Sequence, residues 1–182
     1  MQRRFRLVGV LMTVGVTVGG AYVAVAVDDV DGAASVGAPA QREAIPSGSR
    51  VASPAPSEGL ASTVVALVNA ERAGRGLAPY VAQAQVAGAA QAHSDDMAGR
   101  ATMSHTGADG SNTGDRLVAQ GFTWSAWGEN VAAGQDSAEA VFAAWMNSAG
   151  HRPQMIGNYS YVGVGVAPAA NGTLYWTLVV AS

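Results

Sequence analysis

Two histidines and one glutamate are the residues of this 182-residue chain best suited to chemistry. His105 and His151 stand among glycines and small polar residues, a setting typical of loops, and Glu129 follows Gly128 at the start of an expected strand. Two imidazoles and a carboxylate could bind a divalent metal ion that keeps open positions for water, or exchange protons near neutral pH. The three are far apart in sequence, so spacing alone leaves both chemistries and a purely structural role open.

Helices are predicted to come first among the elements that must position these residues. One helix is expected from about Ser62 to Ala73, with Ser62 or Thr63 as its N-cap and glycines at its end. A second is expected over about residues 82–100, and a short third one is expected to end at Gly121. One face of the second helix carries Val86, Ala90, His93 and Met97. We therefore interpret His93 as a buried core histidine and leave it out of the site.

Strands dominate the second half of the chain. Short extended stretches are predicted at 122–124 and 128–132, followed by a helix that Ser137 caps. Residues 161–166 and 174–180 read as two strands joined by a loop that contains Asn171-Gly172, a strong hairpin signal. Helices first and paired strands last predict a layered α+β domain.

The amino-terminal third predicts export of the domain. Residues 7–27 carry no charge, follow three arginines and precede three aspartates, so they read either as a cleaved signal peptide or as an uncleaved membrane anchor. Both alternatives deliver the remainder to the outer side of the membrane. Residues 28–58 are rich in Pro, Ala, Ser and Gly and are expected to form a flexible linker. The predicted organisation is therefore 1–27 for targeting, 28–58 for the linker and 59–182 for the domain.

Composition excludes several classes of protein. The absence of cysteine removes disulfides, thiolate ligands and a cysteine nucleophile. The net charge of −3 comes without a basic stripe, so we expect no nucleic-acid partner. Membrane contact is expected only through residues 7–27, if they stay uncleaved.

Four ordered motifs carry a family resemblance. They are Ser104–Ser111, Gly128–Ala132, Ala144–Arg152 and Val162–Val166. Together they resemble the bacterial branch of the CAP, or SCP, superfamily, which includes cysteine-rich secretory proteins, antigen 5 and pathogenesis-related 1 proteins. This resemblance implies an α-β-α sandwich, with a central antiparallel sheet flanked by helices and a cleft lined by two histidines and acidic residues. Matched position by position, the cleft residues are His105, His151 and Glu129.

One departure from the family pattern bears on mechanism. The second acidic residue of the eukaryotic pattern corresponds here to Ser148, and its role is not transferred to Glu139. His105, Glu129 and His151 are thus tentative ligands of a divalent metal such as zinc, and we expect weak binding because one carboxylate is lost. No cofactor is expected to be required. Ser104 beside His105 is the one visible candidate nucleophile, so catalysis by the trio is not the favoured interpretation.

Three functions remain open on the sequence. The leading interpretation is a secreted or membrane-tethered protein that binds a small molecule, a lipid or a cell-envelope component in its His/Glu cleft. The second is a zinc-dependent extracellular hydrolase that uses His105, Glu129 and His151. The third is a structural or adhesive envelope module. Trp124 and Trp127, close before Glu129, are expected either to brace the fold or to flank the cleft.

Overall fold

The computed structural model describes residues 56–182. The expectations for residues 7–27 and for nearly all of the linker lie outside this range. Within it, no helix is both long enough and apolar enough to cross a membrane. The elements in chain order are α1 (Pro56–Gly74), β1 (Val81–Ala82), α2 (Ala84–Arg100), α3 (Thr113–Ala119), β2 (Trp127–Ala133), α4 (Ala138–Asn147), α5 (Arg152–Ile156), β3 (Tyr161–Pro168) and β4 (Leu174–Ala181).

A four-stranded sheet in the order β1-β3-β4-β2 forms the middle layer. The β3–β4 hairpin is antiparallel, as predicted, and β2 pairs antiparallel with β4. The two-residue β1 adds to β3 in parallel, so the sheet is antiparallel except at this edge. This order leaves β2 as the opposite edge strand.

Alternation along β3 and β4 divides the core between the two faces of the sheet, because successive side chains of a strand point to opposite faces. Even-numbered residues such as Val164 and Leu178 pack against α1 and α4 through Val68 and Trp145. On the other face, Val179 packs against α2 and α3. Helices therefore cover both faces, and the predicted α-β-α sandwich is confirmed.

Two glycines let α2 lie directly on β3. A Cβ at Gly163 would collide with the backbone of Ala87, and one at Gly165 would collide with the backbone of Gln91. The Gln91 side chain then spans this close contact, because its amide donates to the Val166 carbonyl and accepts from the Val166 N–H. The alternating valines and glycines of this strand thus bury valines on one face and admit a helix on the other.

The start of α1 corrects one prediction. The helix begins at Pro56, six residues before Ser62, because proline is compatible with the first helical turn. The hydroxyls of Ser62 and Thr63 do not cap the helix; both donate to the Gly59 carbonyl one turn back.

Predictions for the middle of the chain are mostly confirmed. The four residues assigned to the apolar face of α2 are all buried, and Ser137 caps α4 by accepting from the Ala140 N–H. The extended stretch expected at 122–124 is wrong, since these residues form no strand. Gly121, with its φ of +77°, turns the chain away after the end of α3. The N–H of Phe122 then donates to the Leu117 carbonyl.

Candidate functional site

Glu129 lies at the centre of the site with both carboxylate oxygens engaged. His105 Nδ1 donates to Oε1 at 2.8 Å, and Arg116 Nη2 donates to Oε2 at 2.7 Å. The Glu129 side chain is only 2% exposed, whereas that of His105 is 61% exposed. A buried charge is stable only when it is paired, and Arg116 supplies the pairing. Glu129 in turn orients the imidazole that faces solvent.

Arg116 was missed by the sequence analysis. It lies on α3, whose start is fixed by a capping box between Asn112 and Asp115. Its guanidinium also donates to the carbonyls of Ser111 and His105, at 2.9 and 3.2 Å. Arg116 therefore holds both Glu129 and the loop that carries His105. Sequence patterns predicted only the end of this helix, at Gly121, and a capping box by itself carries no signal that the arginine after it will turn inward.

His105 borders a cleft of about 400 Å³ that lies over the first residues of β2. We call it the β2 cleft. Its lining combines polar side chains with two aromatic rings, and Trp127 is further braced by a T-shaped contact with Trp124. The lining residues are His105, Thr106, Asn112, Thr113, Trp127, Gly128, Glu129, Gln154 and Tyr159.

The side chains of Gln154 and Tyr159 lie close against the backbone of Gly128 in the β2 cleft. A Cβ at Gly128 would lie 2.9 Å from Gln154 Cγ and 3.0 Å from the Tyr159 hydroxyl. Gln154 Oε1 is buried and accepts no hydrogen bond from any described residue. A buried acceptor without a donor is costly, so a ligand that donates a hydrogen bond here would be favoured.

His151 lies at the start of α5 and is held by two polar contacts. Its Nδ1 shares a 2.7 Å hydrogen bond with Ser148 Oγ, and its carbonyl accepts from Asn130 Nδ2 at 2.9 Å. The residue borders a second pocket of about 270 Å³, together with Met103, Trp145 and Ser148. The structure thus joins His105 to Glu129 directly and places His151 at a neighbouring pocket. Ser148, where the eukaryotic pattern has an acidic residue, is the partner of His151.

Arg72 of α1 and Tyr80, just before β1, fix the position of α5. Arg72 Nη1 donates to the Gly157 carbonyl at 2.9 Å, and its guanidinium lies 3.5 Å from the centre of the Tyr80 ring. The Tyr80 hydroxyl donates to the Gln154 carbonyl at 3.0 Å. Burial raises the pKa of Tyr80 to about 12, so this hydroxyl keeps its proton. These contacts set the position of Gln154 in the β2 cleft.

His93 lies behind Glu129 and is 1% exposed. The residue is buried, as predicted. Its Nε2 donates to the Ser104 carbonyl at 2.7 Å and lies 3.9 Å from Glu129 Oε1. Burial lowers the pKa of His93, and the Glu129 charge opposes that effect only in part. His93 is therefore a neutral brace for the His105 loop, reached through the residue that precedes His105.

A three-ligand zinc site does not fit the trio as it is arranged. His105 Nδ1 is bonded to Glu129, so His105 could bind zinc only through Nε2, on the far side of the ring from that carboxylate, and His151 borders a different pocket. Within residues 56–182, no three His, Asp or Glu side chains are grouped so that they could hold a metal ion. Zinc binding by the trio therefore stays a prediction that would require His105 and His151 to rearrange around one ion.

The serines beside the two histidines differ in their roles. Ser104 Oγ accepts from the Thr106 N–H at 3.0 Å, which closes a local turn. The contact of Ser104 with His93 is made by the backbone carbonyl and not by the hydroxyl. Ser148 does contact His151, but within residues 56–182 no carboxylate orients that imidazole. A nucleophile is effective when its base is itself oriented and an oxyanion site is present. Neither serine meets both conditions.

Comparison with known proteins agrees with this architecture. The model of CAP, the cysteine-rich secretory protein family, matches residues 65–180. The chain is 35% identical over 115 residues to the protein YkwD of Bacillus subtilis (strain 168), which covers 63% of this chain and 44% of YkwD. It is 32% identical over 104 residues to the membrane protein YlbC of the same organism, covering 57% of this chain and 30% of YlbC.

Solved structures show the same fold. An extracellular protein containing an SCP domain from Bacillus anthracis str. Ames is 28% identical, with a TM-score of 0.64, and the match covers 69% of this chain and 41% of that one. An outer surface protein from Borrelia burgdorferi shares the fold at 16% identity, with a TM-score of 0.62 and coverage of 66% and 90%. The chain spans less than half the length of YkwD and of the Bacillus anthracis protein. The family match covers well over half of the chain, and we conclude that it belongs to the CAP, or cysteine-rich secretory protein, family.

Proposed function

We propose that this chain acts outside the cytoplasm and binds a small molecule, a lipid or a cell-envelope component in the β2 cleft, without catalysing a reaction. The observation that carries the proposal is the His105–Glu129–Arg116 arrangement. It presents an exposed imidazole, fixed by a buried ion pair, at the wall of a preformed cleft. Preformed clefts with a few fixed polar groups are typical of ligand sites.

The lining of the β2 cleft favours a ligand with a polar face. Trp127 and Tyr159 offer aromatic surface, while Gln154 presents a buried acceptor that needs a donor. His105 Nδ1 is committed to Glu129, so Nε2 is the ring nitrogen that remains for a ligand. A hydroxylated or amide-bearing envelope component meets these requirements better than a bare acyl chain.

Action outside the cytoplasm is supported by two observations. Residues 7–27 read as a targeting segment with positive residues before it. The Bacillus anthracis relative is described as extracellular and contains the same kind of domain. Secretion and tethering to the outer face of the membrane are both consistent with these observations.

Binding without catalysis is supported by the chemistry of the site. Glu129 is only 2% exposed and is held by a guanidinium and an imidazole, so its role in the site is to orient His105. Neither Ser104 nor Ser148 is paired with an imidazole that a carboxylate orients. The hydrogen bonds of Glu129 hold His105 in one orientation, which suits binding of a ligand.

Co-sedimentation with separated envelope fractions tests the proposal. Purified protein is mixed with cell-wall glycan and, separately, with phospholipid vesicles, and the bound fraction is measured for wild type, His105→Ala and Asp136→Ala. Asp136 is exposed and does not line the cleft, so its variant is the matched control. We expect saturable binding to one fraction, weakened about tenfold or more in His105→Ala, since tenfold corresponds to the loss of about one strong hydrogen bond.

Two other outcomes would replace the proposal. Hydrolysis of a peptide, ester or cell-wall substrate that disappears in His105→Ala would establish an enzyme, and dependence on zinc would make it the metal-dependent hydrolase. Envelope binding that survives substitution of His105, Glu129 and His151 together would establish a structural or adhesive module whose cleft is unused.

A further inference from the structure

A third pocket lies on the other side of His93 and Arg116 from the β2 cleft. It has a volume of about 340 Å³, between α2, α3 and the loop at 107–111. His93 and Arg116 border this pocket and do not border the β2 cleft, whereas Glu129 borders the β2 cleft and not this pocket, so the two cavities are distinct. We call it the α2–α3 pocket. Its lining residues are Ala92, His93, Asp96, Gly107, Ala108, Asp109, Ser111, Arg116, Ala119 and Gln120.

His93, which borders this pocket, carries an unpaired acceptor next to Asp96. Its Nε2 must carry the ring proton, because the Ser104 carbonyl at 2.7 Å can only accept. In the neutral ring, Nδ1 is then an acceptor. It is buried, has no hydrogen-bond partner in residues 56–182, and points toward Asp96, a lining residue of the pocket. An acceptor left unsatisfied in the interior is costly.

Asp96 provides a second acceptor beside it. His93 Nδ1 and Asp96 Oδ2 are 4.0 Å apart, too far for a hydrogen bond, and in the neutral ring neither atom can donate to the other. A group with two or more donor hydrogens, placed about 2.8 Å from each, would join them with an angle of about 90°. An ammonium group meets this requirement because it has three donors and no acceptor.

The local charges favour a cation. Glu129 is paired with Arg116, and Asp96 with Arg100, at 2.7 and 2.5 Å. Asp109 also lines the pocket and forms no salt bridge with any described residue. Three carboxylates against two guanidinium groups leave one unbalanced negative charge. All ten basic residues of the chain are arginines, so no lysine of its own can fill the gap.

We propose that the α2–α3 pocket binds an alkylammonium group, such as a primary amine or the lysine side chain of a peptide. The ammonium bridges His93 Nδ1 and Asp96, and its alkyl stem lies against the methyl groups of Ala92 and Ala119, which line the same pocket. A stem of about four carbons suits a pocket of this volume. This site is independent of the β2 cleft and does not rest on the function proposed for it.

Titration with n-butylammonium chloride, followed by amide and imidazole NMR, tests the site. We expect saturable shifts at Ala92, Asp96 and Ala108, with a Kd on the order of millimolar for so small a ligand, and a change at His93 Nδ1. Ala92→Leu fills the pocket from an exposed helical position and should abolish the shifts. Asp96→Asn should weaken binding about tenfold, whereas Asp95→Asn, an exposed neighbour outside the pocket, should leave it unchanged.

Sodium butyrate separates charge recognition from filling of apolar space. The anion should cause none of these shifts at the same ionic strength. The proposal is overturned if butyrate and butylammonium act alike, or if the shifts are unsaturable and equal in wild type and Ala92→Leu. It is also overturned if His93 Nδ1 already carries a proton at pH 7 without amine, since an ion pair with Asp96 would then fill the gap.

Discussion

Glu129 and Asn130 are neighbours in β2 whose side chains leave opposite faces of the sheet, and each holds one of the two histidines of the candidate site. Glu129 Oε1 accepts from His105 Nδ1 at 2.8 Å, and Asn130 Nδ2 donates to the His151 carbonyl at 2.9 Å. A single edge strand therefore fixes one loop on each side of the sheet. A shift of one residue in the pairing of β2 with β4 would exchange the two faces, so the register determines the site.

Loss of Arg116 is expected to destabilise the protein far more than loss of Arg100. Arg116→Met leaves Glu129 buried without its cation, which should lower the free energy of unfolding by about 3–5 kcal/mol. Arg100→Met breaks a partly exposed pair with Asp96 and should cost at most about 1 kcal/mol. Urea unfolding measures both. Similar losses in the two variants would show that the buried pair does not stabilise the fold.

Acidification is expected to lower the free energy of unfolding through the protonation of His93. Burial lowers the pKa of His93 despite the opposing charge of Glu129, so protonation favours the unfolded chain, with Arg116 and Asp96 as the other charged groups nearby. The stability that the neutral His93 ring contributes is fully present above its unfolded-state pKa of about 6.5. It is lost as the pH falls through the lower pKa that His93 has in the folded protein. The free energy of unfolding should therefore decrease more steeply on acidification in wild type than in His93→Gln, which stays neutral. Parallel pH profiles would contradict this account.

The two helix-facing glycines of β3 are expected to reject even a methyl group. Gly165→Ala would drive a Cβ into the backbone of Gln91 and separate α2 from the sheet, so we expect a loss of at least about 1–3 kcal/mol. Gly99→Ala, in α2 with open space around it, is the control and should gain up to about 1 kcal/mol from helix propensity. Thermal unfolding compares the two. A neutral Gly165→Ala would mean that the helix is not held as closely as the structure shows.

Zinc is expected to bind weakly. Because the two imidazoles border separate pockets and His105 Nδ1 is bonded to Glu129, the three side chains do not converge on one ion. Protein dialysed against zinc and then against buffer should retain well under one equivalent, as measured by elemental analysis. Retention of one equivalent that His151→Ala abolishes would favour the hydrolase.

Local patterns in the sequence predicted the fold well and the site in part. The valine and glycine alternation of 161–166 and the apolar face around Val86 each encode an element without long-range information. Family motifs identified His105 and Glu129, which the structure joins. Local patterns could not predict the roles of Arg116 and His93. Arg116 pairs with the Glu129 carboxylate and His93 with the Ser104 carbonyl, and folding alone brings these distant partners together. The early start of α1 was missed because Ser62 and Thr63 can bond to the backbone either as caps or within a helix.

The most direct test of the binding proposal is an NMR titration of soluble cell-wall glycan fragments into ¹⁵N-labelled protein. We predict saturable shifts concentrated at the Trp127 indole N–H, the Gln154 side-chain amide and the backbone of Gly128, reduced about tenfold in affinity by His105→Ala and unaffected by Asp136→Ala. Shifts centred away from the β2 cleft, or an affinity that His105→Ala leaves unchanged, would contradict the account.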